Sequence, residues 1–268
     1  MDKLVQSSYS KTRQLLTIIV FLCLLNSGFK TQAQNKSYPF KQGEKMTYSV
    51  FFGWFDIGEA EVWIDPEIHF EQGIPHFMVR LNITSSPWFR FLKPMDMCFE
   101  SLINVNDLRP TNSFRDIKQG RKVDIRYDKF SYRDSISVEA YIEDIDKHRS
   151  HKFAFSEIPF RDALSTYLYL RSRDLANATD RIEVRTFFSN ELYEFYIEPE
   201  DKGRFNMDGD RIPTAEFKLI FPPSDLMAKG KAGSVIVSAD ERQIPLKFKV
   251  NLNVGSFALV LDEIQYDQ

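Results

Sequence analysis

Histidines, closely spaced carboxylates and cysteines are the residues of this chain whose types and spacing could do chemistry. His148 and His151 follow Asp144 and Asp146 in the run DIDKHRSH, and two imidazoles with two carboxylates are donors that suit a divalent transition metal. Their spacing matches no closed zinc signature, and the charges around them read as a solvated connection between strands, so no metal is assigned. His69 and His76 flank the Gln72-Gly73 turn and are expected to face each other across a hairpin, where ordinary polar positions account for them. Asn206, Asp208 and Asp210 are spaced like the first half of a calcium loop, but Phe217 stands at the twelfth position where a bidentate glutamate is needed. A tight turn is the expectation there.

Nucleophilic catalysis requires a serine or cysteine beside a base and an orienting acid. The sequence contains no G-x-S-x-G elbow, no P-loop and no G-x-G-x-x-G. Paired carboxylates of the glycosidase kind leave no mark in sequence spacing, so a hydrolase acting on an envelope polymer stays open as a third-ranked reading. No catalytic residue and no cofactor is assigned.

Charge and targeting narrow the choice further. Lys3, Lys11 and Arg13 precede an apolar run from Leu15 to Leu25, and Thr31-Gln32-Ala33 follows as a cleavage triplet. That order is a secretory signal over residues 1–34, too short for the roughly 20 apolar residues of a transmembrane helix. Cys23 raises the alternative of a lipoprotein signal, but Val20-Phe21-Leu22 before it are bulky where small residues are wanted. The expected product is exported, periplasmic or associated with the outer membrane of a Gram-negative bacterium, with no transmembrane segment in the mature chain. Leaving out Lys3, Lys11, Arg13, Lys30 and Asp2 turns the 35 basic and 38 acidic residues of the whole into 31 and 37, a net of −6. Such a balance excludes nucleic acid as a partner, because its binders carry a basic stripe. Cys98 is the one cysteine left, so no internal disulfide forms, and its place between Met97 and Phe99 reads as a buried inert thiol.

The elements that must position these residues are mostly strands. Period-two alternation rich in Val, Ile, Phe and Tyr recurs at 45–52, 57–65, 76–84, 97–105, 121–130, 135–142, 181–189, 192–198, 213–221, 232–239, 244–253 and 257–266. Turn residues between consecutive runs, such as Gly53 with Asp56 and Glu71-Gln72-Gly73, predict a meander. One segment has helical period instead: Phe160, Ala163, Leu164, Tyr167, Leu168 and Arg171 share a stripe, with Asp162 in the first turn and Arg171 in the last. A lone amphipathic helix must bury that stripe on a sheet. The expectation is a single mainly β domain over residues 35–268, a large curved antiparallel sheet or open barrel with one helix packed on it. Ser85–Asp96 is irregular and holds Trp88, Phe89, Phe91 and Leu92 between Pro87 and Pro94. It reads either as a short helical turn capping the core or as an exposed apolar contact surface.

Taken together, Gly43-Glu44 with Tyr48, then Gly53, Gly58 and Ala60, resemble the opening of an exported bacterial family catalogued as domain of unknown function 3108. Leu108-Arg109-Pro110, Asp162-Ala163-Leu164-Ser165 with Tyr169-Leu170-Arg171, and Ser238 with Asp240 and Pro245 before Gly255 resemble its later landmarks. The resemblance implies an exported β-rich domain without an established activity and carries over no catalytic residue. Val235-Ile236-Val237 departs from it, since an aromatic such as Trp is expected ahead of Ser238. Each landmark also has a physical reading: Gly53 suits a turn, Gly58 a close backbone approach, and Asp162 and Arg171 the two ends of a helix.

Three functional readings follow in order. The first is an envelope protein that binds a lipid or other apolar ligand in a cleft between sheet and helix, with Trp88, Phe89, Phe91 and Leu92 as contact residues. The second is an interaction or scaffold protein docking on an envelope partner. The third is the hydrolase.

Overall fold

The computed structural model describes residues 37–207, 209–221, 233–252 and 255–266. The expected signal segment, 1–34, lies outside the described residues. Alternation of buried and open side chains builds the first sheet half from β1 (Glu44–Phe52), β2 (Phe55–Glu71), β3 (Ile74–Ser85), β4 (Met95–Asn104) and β5 (Pro110–Gln119). Then come β6 (Lys122–Tyr132), β7 (Ile136–Ile142), β8 (Lys147–Phe153) and the two-residue β9 (Phe160–Arg161). The second half is β10 (Ile182–Phe188), β11 (Glu191–Met207), β12 (Asp210–Ile220), β13 (Gly233–Ser238), β14 (Pro245–Asn251) and β15 (Ser256–Tyr266).

All fifteen strands lie in one sheet, in the order β8-β7-β6-β5-β4-β3-β2-β1-β15-β14-β13-β12-β11-β10-β9. Chain neighbours are sheet neighbours, as the turn chemistry predicts, and β1 against β15 joins the two ends of the chain. Among the described strands, only β9 against β10 is parallel. Among the described residues no hydrogen-bonded ladder joins β8 to β9, but side chains meet across the gap as the sheet curls. Phe99 on β4 lies 6.2 Å from Phe188 on β10, and His151 on β8 reaches Asn190 in the β10–β11 turn at 3.2 Å.

Two helices occur among the described residues: α1 (Pro87–Leu92) and α2 (Ala163–Arg171). Helix α2 lies inside the curl, touching β3 and β4 on one side and β9 and β10 on the other. It is more enclosed than an amphipathic stripe predicts. Ser165 and Thr166 are buried with Leu164 and Leu168, and the Thr166 and Thr186 hydroxyls bond at 2.7 Å. Phe160, expected on the helix, belongs to β9 instead, because Asp162 caps α2 after it. Asp162 accepts from the Ser165 amide at 2.7 Å, and the Ser165 hydroxyl accepts from the Asp162 amide at 2.9 Å, a reciprocal capping box.

Besides the two-residue β9, two strands stand where alternation predicted none. Strand β5 turns Ser113 and Arg115 inward, and β8 (KHRSHKF) has hardly an apolar residue, so neither shows an apolar period. The DIDKHRSH run is therefore a short 3-10 turn, Glu143–Ile145, followed by an edge strand, and not a solvated connection.

Gly58 bears out the close approach expected of it: a Cβ there would stand 2.1 Å from the Thr84 carbonyl oxygen. The interior holds a main apolar cluster around Met46, Val50, Ile64, Val79, Leu168 and Leu246, with satellites around Phe217 and around Phe187.

Candidate functional site

Strands β1 and β2 meet in a two-residue turn, Gly53-Trp54, with Gly53 at φ +63°, a left-handed value that glycine adopts without strain. That conformation pushes Trp54 outward, and it is 84% exposed, with Phe55 beside it at 5.5 Å between ring centres. The Gly53 amide donates to the Ser256 carbonyl at 2.8 Å, fixing the turn to the start of β15.

Helix α1 stands next to this turn. Pro87 opens it, as suits a first helical position, and the Ser86 amide donates to the Ile57 carbonyl at 3.0 Å. Arg90 forms a two-pronged pair with Asp96 at 2.8 and 3.0 Å, bracing the helix against β4. Over so short a helix only one ring can face the sheet, and Phe89 does so, packing against the main apolar cluster. Trp88, Phe91 and Leu92 point away, and Phe91 is 92% exposed. Phe55 and Trp88 lie 6.3 Å apart, and Trp88 and Phe89 5.5 Å. The four contact residues read from sequence thus divide: Trp88, Phe91 and Leu92 form the open surface, and Phe89 anchors it from below. Trp54 and Phe55 join them. Their signal, two aromatic residues beside a turn glycine, is visible in the sequence, but only the fold sets them against α1. Contiguous apolar surface of this kind marks a contact with a membrane, ligand or partner.

Among the described residues, the space found beside α2 is small. A cavity of about 40 Å³ lies between the helix, β4–β6 and β10, lined by Arg115, Asp128, Asp162 and Phe187 among others, and such a volume takes a few waters. Burial raises the pKa of both Asp128 and Asp162 above the ordinary carboxylate value, against the pull of Arg126 on Asp128 and of the Ser165 hydrogen bonds on Asp162. Two carboxyls of raised pKa beside arginines are the raw material of acid–base chemistry, yet this space admits no polymer. Arg126 is fully buried, donates to Asp128 at 2.7 Å, and leaves Nη1 and Nη2 without a protein partner.

The resemblance landmarks converge elsewhere, at the C-terminal end of α2. Arg171 pairs with Glu44 through its two terminal guanidinium nitrogens, Nη1 and Nη2, and donates to the Tyr167 hydroxyl at 3.2 Å and to the Arg242 carbonyl at 3.1 Å. Ser238 and Asp240 shape the turn that presents this carbonyl: the Ser238 hydroxyl donates to Asp240 at 2.7 Å and accepts from the Ile244 amide at 2.8 Å. The Tyr48 hydroxyl donates to the Pro245 carbonyl at 3.1 Å. Burial raises the Tyr48 pKa well above its ordinary value. Burial works against the Arg171 charge, but Tyr167 and Glu44 prevail and hold its pKa up. Enclosed by protein, this network is a structural clamp.

The remaining candidates separate. His148 and His151, three residues apart on a strand, fall on opposite faces: His148 stacks on Tyr141 at 4.7 Å, and His151 turns inward. Among the described residues no group of three or more metal-binding side chains comes together. His69 and His76 are direct partners across the β2–β3 hairpin. Met207 pairs with Asp210 at the β11–β12 turn, and Asp208 lies outside the described residues. Cys98 is half-buried on the outer face of β4, not in the core, and burial, with Glu100 adding to it, raises its pKa and keeps it a thiol. No described helix is long and apolar enough to cross a membrane.

The sequence pattern of a family described as "Protein of unknown function (DUF3108)" matches residues 47–262. No curated protein matches the chain. Among solved structures, a β-barrel-like protein of domain of unknown function DUF1849 from Brucella abortus is similar with a TM-score of 0.56 and 8% identity, covering 85% of this chain and 99% of its own. A "putative lipoprotein" from Parabacteroides distasonis gives a TM-score of 0.35 and 9% identity over the same shares. The first likeness supports the barrel-like curl of the sheet.

Proposed function

This chain belongs to the DUF3108 family of proteins of unknown function, and we propose that it is a non-enzymatic cell-envelope protein that binds lipid through the exposed aromatic tip. One observation carries the reading: Trp54, Phe55, Trp88, Phe91 and Leu92 form a contiguous open surface held by a clamped turn and a braced helix. The tip is favoured over an internal cleft because the cavity described beside α2 measures about 40 Å³. Fixed aromatic rings lose little freedom on contact, and burying one phenylalanine-sized side chain is worth about 1.5–3 kcal/mol. Tryptophan at a protein's apolar edge suits the headgroup level of a bilayer. The signal-like order of residues 1–34 supports export to a compartment where such a surface exists.

Flotation with phosphatidylethanolamine–phosphatidylglycerol vesicles tests this. The protein from residue 34 onward rises with the vesicles, and the Trp54→Ser/Phe91→Ser variant, changed at two exposed positions, stays behind. A variant that floats as the parent does removes the tip from the account. A parent that does not float, while the tip captures a purified envelope protein, moves the reading to docking on that partner.

A further inference from the structure

The outer face of β4–β8 carries a second surface, separate from the tip. Register sets Phe114, Tyr127, Tyr141 and His148 directly opposite one another on four successive strands. Their ring centres are spaced at 5.0, 6.3 and 4.7 Å, so the four rings form one continuous ladder. The neighbouring row on the same face holds Leu102, Asn112, Lys129 and Glu139. Between the rows lies a groove of about 530 Å³, within the size range of ligand sites. Tyr127, in its centre, is 45% exposed.

The polar residues of the groove are fixed and only partly engaged. Glu100 receives Arg80 on Oε1 at 2.6 Å, Glu139 receives the Ser150 hydroxyl on Oε1 at 2.7 Å, and Asn112 donates to Glu71 at 2.9 Å. Among the described residues, the hydrogen bonds these two groove glutamates accept fall on Oε1, which leaves Oε2 to meet a hydroxyl donor.

We infer that this groove binds an oligosaccharide. A sugar ring carries an apolar C–H face with hydroxyls at its edge, and the groove offers aromatic carbon flanked by carboxylate, amide and ammonium groups. A hydrocarbon chain would strip water from Glu100, Glu139 and Lys129 and give nothing back, a cost that opposes binding. A nucleic acid strand would set its phosphates beside two carboxylates on a chain already negative overall. Neutral, hydroxyl-rich chains meet neither penalty.

A printed array of bacterial envelope oligosaccharides and polysaccharides, probed with the fluorescently labelled protein, tests the inference. The protein is expected to mark a subset of glycans, with at least tenfold weaker signal for Tyr127→Ala/Tyr141→Ala. Should that variant misfold, Lys129→Ala/His148→Ala, at positions open to solvent, is expected to reduce the same signals. The tip variant Trp54→Ser/Phe91→Ser keeps glycan binding, so the two surfaces are told apart. An array that stays blank, or signals unchanged in the folded groove variants, overturns the proposal.

Discussion

Arg171 on the last turn of α2 and Glu44 at the start of β1, 127 residues apart, form a two-pronged ion pair with both side chains buried. The pair locks the enclosed helix to the strand that joins the two halves of the sheet, and gives the scattered landmarks Glu44, Tyr48, Arg171, Ser238 and Asp240 one structural purpose.

Removing one partner strands the other charge in the interior. Arg171→Ala is expected to cost about 3–5 kcal/mol in urea denaturation. The double change Glu44→Leu/Arg171→Met is expected to cost clearly less than the sum of the single changes, since no charge is left alone. Additive losses would show that the pair is not coupled.

Asp162 combines a helix cap with a raised pKa, and the two consequences separate by substitution. Asp162→Ala loses the cap and is expected to cost about 0.5–2 kcal/mol. Asp162→Asn keeps it. Because burial raises the folded-state pKa above the ordinary 3.8, the folded state holds this proton more tightly than the unfolded chain. The stabilisation is therefore full below the unfolded pKa and is lost as pH rises through the folded one. Relative to Asp162→Asn, the parent protein is expected to lose stability as pH rises from about 4 toward neutrality. Melting temperatures of both proteins across that range check the sign; parallel curves contradict it.

Gly58 and Gly203 make a matched comparison. A Cβ at Gly58 meets backbone oxygen at 2.1 Å, whereas at Gly203 it meets only the Thr214 hydroxyl at 3.3 Å. Gly58→Ala is expected to destabilise by about 1–3 kcal/mol, as forced overpacking does, and Gly203→Ala by much less. Chemical denaturation of the two single variants decides this.

Strands with apolar alternation, such as β1 with Met46, Tyr48 and Val50 inward, were legible in the sequence, and so was α2 with its cap at Asp162. Strands β5 and β8 were not. Their inward positions include Arg115, which bonds Asp124 on neighbouring β6 and Ser189 in the β10–β11 turn, and His151, which meets Asn190 in the same turn, and no local period announces such pairing. For the same reason the ladder of Phe114, Tyr127, Tyr141 and His148 had no signature, because it exists only through cross-strand register. At the tip, Trp88, Phe91 and Leu92 were legible as an aromatic excess between two prolines. Trp54 and Phe55 were hidden by the plainer reading of Gly53 as a turn.

The tip is the central claim, and tryptophan emission tests it most directly. Of the three tryptophans, Trp54 and Trp88 stand on the tip, while Trp63 is half-buried on β2 beside Arg80. Trp63→Phe therefore leaves a protein whose indole fluorescence reports the tip alone. On adding phosphatidylethanolamine–phosphatidylglycerol vesicles, its emission is expected to shift to the blue and to be quenched by brominated acyl chains. Emission unchanged at saturating lipid would mean that Trp54 and Trp88 stay in water, and would contradict the account.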